Sequence, residues 1–169
     1  MINILRYLKE LEIMKKISRC FIIFLCLFVI IFCYTYFFRN LFTDEIWCYG
    51  FGYNIASGLV PYRDFNMIVT PFYSFVVALF IIIFGHHLWV VHVINALIII
   101  IMLFFMYKRI GNKVLILLPI VLFNCYPSYN FFSLFLLIIL LYIIDSNIKN
   151  KELIISFIVS LIFLTKQTI

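Results

Sequence analysis

The chain alternates long apolar runs with short polar breaks, and the runs have the lengths of helices that cross or lie in a bilayer. Residues 20–38 carry no charge over nineteen positions, about 28 Å of helix against a hydrocarbon core of roughly 30 Å. A polar stretch, 39–67, follows. The next run, 68–84, is interrupted by Thr70 and Pro71, and the apolar part beyond the proline has the length of a re-entrant or interfacial segment. Residues 88–107 form a full-length run. Two shorter ones, 114–125 and 131–144, flank Tyr126-Pro127-Ser128-Tyr129-Asn130. After a polar loop at 145–152, the run 153–169 begins a fifth span. This pattern predicts an all-α, polytopic transmembrane helical bundle with an extracytoplasmic first loop, 39–87, that contains interfacial helices. The last run lacks a basic stop or a helix cap, so the expectation is a longer protein cut within its fifth span.

Charge placement orients the bundle. Arg6, Lys9, Lys15, Lys16 and Arg19 precede the first run, Lys108, Arg109 and Lys113 follow the second full-length run, and Lys149 and Lys151 lie between the last two. If 68–84 spans, the second and third groups fall outside, against the positive-inside rule. If it dips into the outer leaflet and returns, all three groups fall inside. The second arrangement is therefore expected: a multi-pass protein of the cytoplasmic membrane with a cytoplasmic N-terminus. The first run is too long for a signal peptide and lacks a small-residue cleavage site. Residues 1–17 read as a short amphipathic helix on the inner surface.

Composition narrows the class further. Hydrophobic residues make up 67% and charged residues 12%, against roughly 45–50% and 25% in soluble domains. Too little polar surface is present to coat a compact soluble fold, so a soluble enzyme, a disordered chain and a disulfide scaffold are excluded. The net charge of +6 sits in membrane-flanking groups, without a nucleic-acid-binding motif. Cys20, Cys26, Cys33, Cys48 and Cys125 match no metal spacing, and an odd count suits buried thiols. His87 and His92 are five positions apart, off one helical face, and read as interfacial or hydrogen-bonded histidines. Asn95, one turn below His92, is placed to hydrogen-bond across helices.

The chemistry-bearing residues concentrate in the first loop. Thr43 or Asp44 is a candidate N-cap and Gly58 a candidate C-terminal stop, with an aromatic-rich helix between them suited to the outer interface. Gly50 and Gly52 weaken that helix but allow another backbone to approach closely. Pro61 suits a turn before Asp64. Asp44, Glu45 and Asp64 stand with Arg63 in this one loop, a set able to supply a base, bind a cation or order a phosphate. Asp44 also has a purely structural reading, because an acidic residue at a helix start complements the macrodipole.

An ordered series of residues resembles the GT-C superfamily of integral-membrane glycosyltransferases, in particular the bacterial relatives of protein O-mannosyltransferases and aminoarabinose transferases. The series begins with Asp44-Glu45 after the first span and continues through Tyr49, Tyr53, Ile55 and Gly58. Pro61-Tyr62-Arg63-Asp64-Phe65-Asn66, Thr70-Pro71-Phe72-Tyr73 and Phe84-Gly85 follow. It closes with Lys108-Arg109-Ile110-Gly111 and Leu164-Thr165-Lys166-Gln167-Thr168-Ile169. The resemblance covers residues 35–169, the N-terminal third of such an enzyme. It implies transfer of a sugar from a polyprenyl-phosphate donor to a lipid-linked glycan or protein hydroxyl outside the cytoplasm. Asp44 then becomes the candidate general base for the acceptor hydroxyl. Glu45 or Asp64 would position the acceptor or a divalent cation, with no other cofactor implied. Arg63 and Lys166 would hold the donor phosphate as it gains charge, although Lys166 could equally snorkel from a helix end. No dense cluster of metal ligands marks a structural metal. One departure concerns the loop after the third span, where relatives commonly carry an acidic residue and residues 126–133 offer only Ser, Tyr and Asn as polar groups.

Two rivals stand beside this reading. A non-catalytic accessory membrane protein predicts that the loop carboxylates tolerate substitution. A transporter would place ionisable groups deep inside its spans, where this chain has almost none.

Overall fold

The computed structural model describes residues 22–37, 43–114 and 128–166, which are all-helical with no strand among them. The expected N-terminal segment 1–19 and nearly all of the run 114–125 lie outside the described residues. In chain order the helices are α1 (Ile22–Phe37), α2 (Thr43–Ala56), α3 (Phe72–Phe84), α4 (Trp89–Ile110), α5 (Tyr129–Ile144) and α6 (Lys151–Thr165), with a 3-10 turn, Gly111–Lys113, after α4. Together α4 and its 3-10 turn run 25 residues, about 37 Å. Among the described residues this is the one helix long and apolar enough to cross a membrane.

Local chemistry sets the ends. The expected run from 68 becomes helical only at Phe72, with Pro71 in the capping position; a proline there lacks only an N–H that a helix start leaves unpaired anyway. Gly58 stops α2 as expected. Its φ is +88°, its N–H donates to the Ile55 carbonyl, and the Leu59 N–H donates to the Asn54 carbonyl, the Schellman arrangement that a left-handed residue permits. Ser128 caps α5, its hydroxyl accepting from the Phe131 N–H at 3.3 Å.

α2 and α3 pack side by side and run in the same direction. Glu45 and Cys48, near the start of α2, lie close to Tyr73 at the start of α3. Farther along, Gly52 opposes Val77 and Ala78. The ring of Tyr53 meets His86 just beyond the end of α3, at 4.9 Å between centroids. Glu45, Cys48 and Gly52 are the buried residues of α2 and recur at one-turn intervals, so a single stripe faces α3. On α3, Tyr73, Val77 and Ile81 form the answering stripe.

The remaining contacts show where this pair sits. The ends of α4 and α5 meet, through Phe105 against Tyr142 at 4.9 Å. Arg109 also donates to the Leu141 carbonyl at 3.2 Å and pairs with Asp145. Both carriers of that ion pair are about half exposed, so it locates the helix ends more than it stabilises them. The beginnings of α4 and α5 are then the far ends of the two helices. The two ends of α3 reach both of them: Phe72 and Tyr73 touch Phe132 of α5 at 5.8 and 5.1 Å, and Phe84 touches Trp89 of α4 at 5.9 Å. From Phe105 to Trp89 is about 24 Å of helix, from Tyr142 to Phe132 about 15 Å, and from Phe72 to Phe84 about 18 Å. These are the sides of a triangle, and α3 closes it across the starting ends of α4 and α5. α1 reaches the same end, where Tyr36 meets His92 at 5.7 Å.

A Cβ built on Gly52 would stand 2.5 Å from Val77 Cγ1, 2.8 Å from Val77 Cβ and 3.2 Å from the Ala78 nitrogen, whereas one on Gly50 meets nothing within 4 Å. Gly52→Ala is expected to destabilise, because overpacking of about 1–3 kcal/mol outweighs or matches the roughly 1 kcal/mol gained in helix propensity. Gly50→Ala gains the propensity alone and is expected to stabilise. Thermal unfolding of both variants by circular dichroism checks this; equal responses at the two glycines would contradict the packing described.

Candidate functional site

The first turn of α2 separates its two carboxylates. Because α2 already includes Thr43, Asp44 and Glu45 lie inside that turn, where negative charge complements the helix dipole. Successive residues differ by about 100° around a helix, and the stripe against α3 claims only one of the pair. Glu45 is 1% exposed, whereas Asp44 is half-buried at the edge of the stripe. Among the described residues Asp44 has no hydrogen-bond or ion-pair partner, which leaves an acceptor-only carboxylate accessible on the helix flank.

Beneath Asp44 lies a buried polar cluster. Glu45, Cys48, Thr70, Tyr73, Ser74 and Ser128 are all 8% exposed or less. They lie at or near the first turns of α2, α3 and α5, which approach one another through Cys48 and Tyr129 and through Tyr73 and Phe132, and the positive end of a helix favours a carboxyl group there. The hydroxyls of Tyr73 and Thr70 are buried without a hydrogen-bond partner among the described residues. Burial pushes the Cys48 thiol up to about 12, reinforced by the Asp44 and Glu45 carboxylates and opposed by a hydrogen bond with the Tyr129 backbone.

Arg63 and Asp64 form a separate unit. Arg63 donates through Nε and Nη2 to the two carboxylate oxygens of Asp64, at 2.9 and 2.8 Å. The Val60 N–H also donates to Asp64 at 2.8 Å. The guanidinium first, then the Val60 amide, hold the Asp64 carboxyl below its ordinary range, and Asp64 in turn raises Arg63. Tyr62 takes a left-handed φ of +64° within this turn and donates its hydroxyl to the Val69 carbonyl at 2.9 Å. Phe65 stacks on Phe51 at 6.1 Å, so the turn folds back on the second half of α2, about 10 Å of helix beyond Asp44. Comparison with protein-family models, curated proteins and solved structures finds no match.

The sequence-derived set is thus divided. Asp44 and Glu45 share a turn but face different ways, Arg63 and Asp64 satisfy each other, and Lys166 follows the end of α6, its backbone N–H donating to the Ile162 carbonyl. The three histidines are dispersed too: His86 lies against Tyr53, His87 stacks on Trp89, and His92 meets Tyr36. No group of three or more His, Cys, Asp or Glu side chains among the described residues stands ready to hold a metal ion. Sequence reading did not single out Cys48 or Tyr73 as partners of Glu45. The one available signal was their spacing, with Cys48 three residues after Glu45 and Tyr73 just beyond Pro71.

A thiol held at about 12 carries on the order of a thousandfold less thiolate near neutral pH than an ordinary cysteine, and the thiolate is the reactive form. In a variant keeping Cys48 as its only cysteine, maleimide labelling at pH 8 is expected to be negligible in the folded protein and rapid after denaturation. Equal rates in the two states would contradict the buried cluster.

Proposed function

We propose that this chain is part of a multi-pass membrane glycosyltransferase of the GT-C type, using a polyprenyl-phosphate sugar and acting outside the cytoplasm. The observation that carries the reading is the pairing of an accessible Asp44 with a buried Glu45 on a helix that lies, with α3, across one end of the helix assembly. A reaction at the lipid boundary needs a carboxylate presented there on a rigid support. The α2–α3 pair offers that support, and the Asp44 carboxylate can accept the proton of an acceptor hydroxyl as the anomeric carbon is attacked.

The placement of α3 also favours a first loop that does not cross the bilayer. Its two ends meet the beginnings of α4 and α5, so a membrane crossed by α4 and α5 would have both ends of α3 on one side. The contact of Arg109 with Leu141 and Asp145 draws the basic residues around 108–113 toward those at 149–151. One cytoplasmic face for both groups, with a cytoplasmic N-terminus, agrees with the positive-inside rule. In this reading Asp44 is the base and Glu45 a positioning residue that holds the first turn of α2 on α3. The Arg63–Asp64 fork is a preformed turn from which Arg63, 70% exposed at its side chain, can turn to a donor phosphate. Lys166 is a second candidate for that phosphate. The acceptor is a lipid-linked glycan or a protein hydroxyl.

Asp44→Asn introduced into the native gene is expected to abolish transfer from a labelled polyprenyl-phosphate sugar in isolated membranes, with insertion and abundance unchanged, while Asp44→Glu retains part of it. Undiminished transfer in the Asn variant would contradict the role of Asp44. Tolerance of every loop carboxylate to substitution would favour a non-catalytic accessory protein.

A further inference from the structure

The end of the assembly away from α2 and α3 gathers cations. Arg109 of α4 donates to the Leu141 carbonyl and pairs with Asp145, and Lys151 at the start of α6 donates through Nζ to the Ile144 carbonyl at 3.4 Å. Both therefore sit on the last turn of α5, where positive charge complements the negative end of a helix. Lys108 and Lys113 belong to α4 and its 3-10 turn, Lys149 to the loop between α5 and α6, and all three are exposed. Five cations thus stand against two carboxylates, Asp145 and Glu152, and Asp145 is already engaged by Arg109. Among the described residues neither Lys113 nor Lys149 has an ion-pair partner, so this end keeps a net positive field. Apolar surface begins about one turn away. Tyr107 on α4, Leu141 and Ile144 on α5 and Leu153 on α6 are exposed. The Lys108 ammonium lies 5.7 Å from the centroid of the Phe104 ring, folded back along its own helix, which puts its charge at the boundary between the polar end and the apolar flank.

We infer that this end of the helix assembly binds anionic phospholipid, its headgroup held by Lys108, Lys113 and Lys149 and its acyl chains lying along the exposed flanks of α4 and α5. Charge complementarity selects an anion. Lysines on flexible stems act as point charges and suit a mobile phosphate better than a fixed, bidentate carboxylate. The adjoining apolar side chains select the source of that anion. A water-soluble acidic segment would leave Tyr107, Leu141 and Ile144 uncovered, whereas a phospholipid carries an anion and hydrocarbon in one molecule. Basic residues that directly follow a span-length helix are also the arrangement that an anionic leaflet attracts, and α4 with its 3-10 turn is such a helix. The inference rests on the membrane placement in the proposed function, not on its chemistry, and it adds which lipid class meets the cytoplasmic end.

The test is native mass spectrometry of the complete chain in a neutral detergent, titrated with dioleoyl-phosphatidylglycerol or dioleoyl-phosphatidylcholine. Phosphatidylglycerol is expected to bind about tenfold tighter or more. Replacing Lys108, Lys113 and Lys149 together by Gln should erase that preference, at about fivefold for each lysine removed from an anionic headgroup, with the melting temperature unchanged because all three side chains are exposed. Lys149→Glu alone, in the loop, should lower phosphatidylglycerol affinity in the same direction and keeps the test open where the triple variant is unstable. Replacing Lys9, Lys15 and Lys16 by Gln removes the same charge elsewhere in the chain and should leave the preference in place. Equal binding of the two lipids, equal losses in the two triple variants, or tighter binding of deca-glutamate than of phosphatidylglycerol would each overturn the surface. No sugar is present and Asp44 is intact in this titration. A negative result therefore contradicts the lipid surface alone, and transfer that survives Asp44→Asn contradicts the enzymatic reading alone.

Discussion

The close approach of α2 to α3 at Gly52 governs the rest of the molecule's chemistry. With the Val77 side chain and the Ala78 nitrogen occupying the space where a Cβ would stand, α2 can be neither lifted away nor rolled about its axis without losing that contact. Fixing the roll of one helix fixes the direction of every side chain on it. Glu45 and Cys48 are carried inward with Gly52, Asp44 is left on the flank, and Trp47, Gly50 and Asn54 face outward. One steric constraint thereby turns two adjacent carboxyl groups into a buried one and an accessible one.

The buried Glu45 carboxyl sits among helix starts and hydroxyl groups. The starts of α2, α3 and α5 approach one another there, in a region that also contains the Tyr73 and Thr70 hydroxyls. Burial and the neighbouring carboxyl groups, against the pull of the helix ends, raise the Cys48 thiol. α3 is placed so that both of its ends lie at the beginnings of the longer helices, which makes the α2–α3 pair a cover over one end of the assembly and gives the loop 57–71 a rigid base. The Arg63–Asp64 fork and the Phe65–Phe51 stack then tie that loop back to α2.

Much of this was legible where local rules decide the outcome. Gly58 as the stop of α2 and the turn at Pro61 follow from backbone preferences that need no tertiary partner. The helical nature of the apolar runs follows from their length, and Pro71 marks the start of α3. The parts that could not be read depend on packing across the chain. Gly50 and Gly52 look alike in sequence, and only the position of Val77 distinguishes a contact glycine from an open one. Asp44 and Glu45 look alike for the same reason, since α2 is aromatic on several sides and offers no clear apolar stripe to set its phase. The mutual pairing of Arg63 and Asp64 had a local cue in their adjacency, but that cue is equally consistent with two residues reaching toward a ligand.

The most direct test of the central claim is thiol accessibility at the two adjacent positions in an otherwise cysteine-free protein in intact cells. Asp44→Cys is expected to react with a membrane-impermeant maleimide added from outside, and Glu45→Cys to remain unlabelled until the protein is denatured. Equal labelling at both positions, stronger labelling at 45, or labelling at 44 only from the cytoplasmic side would contradict it.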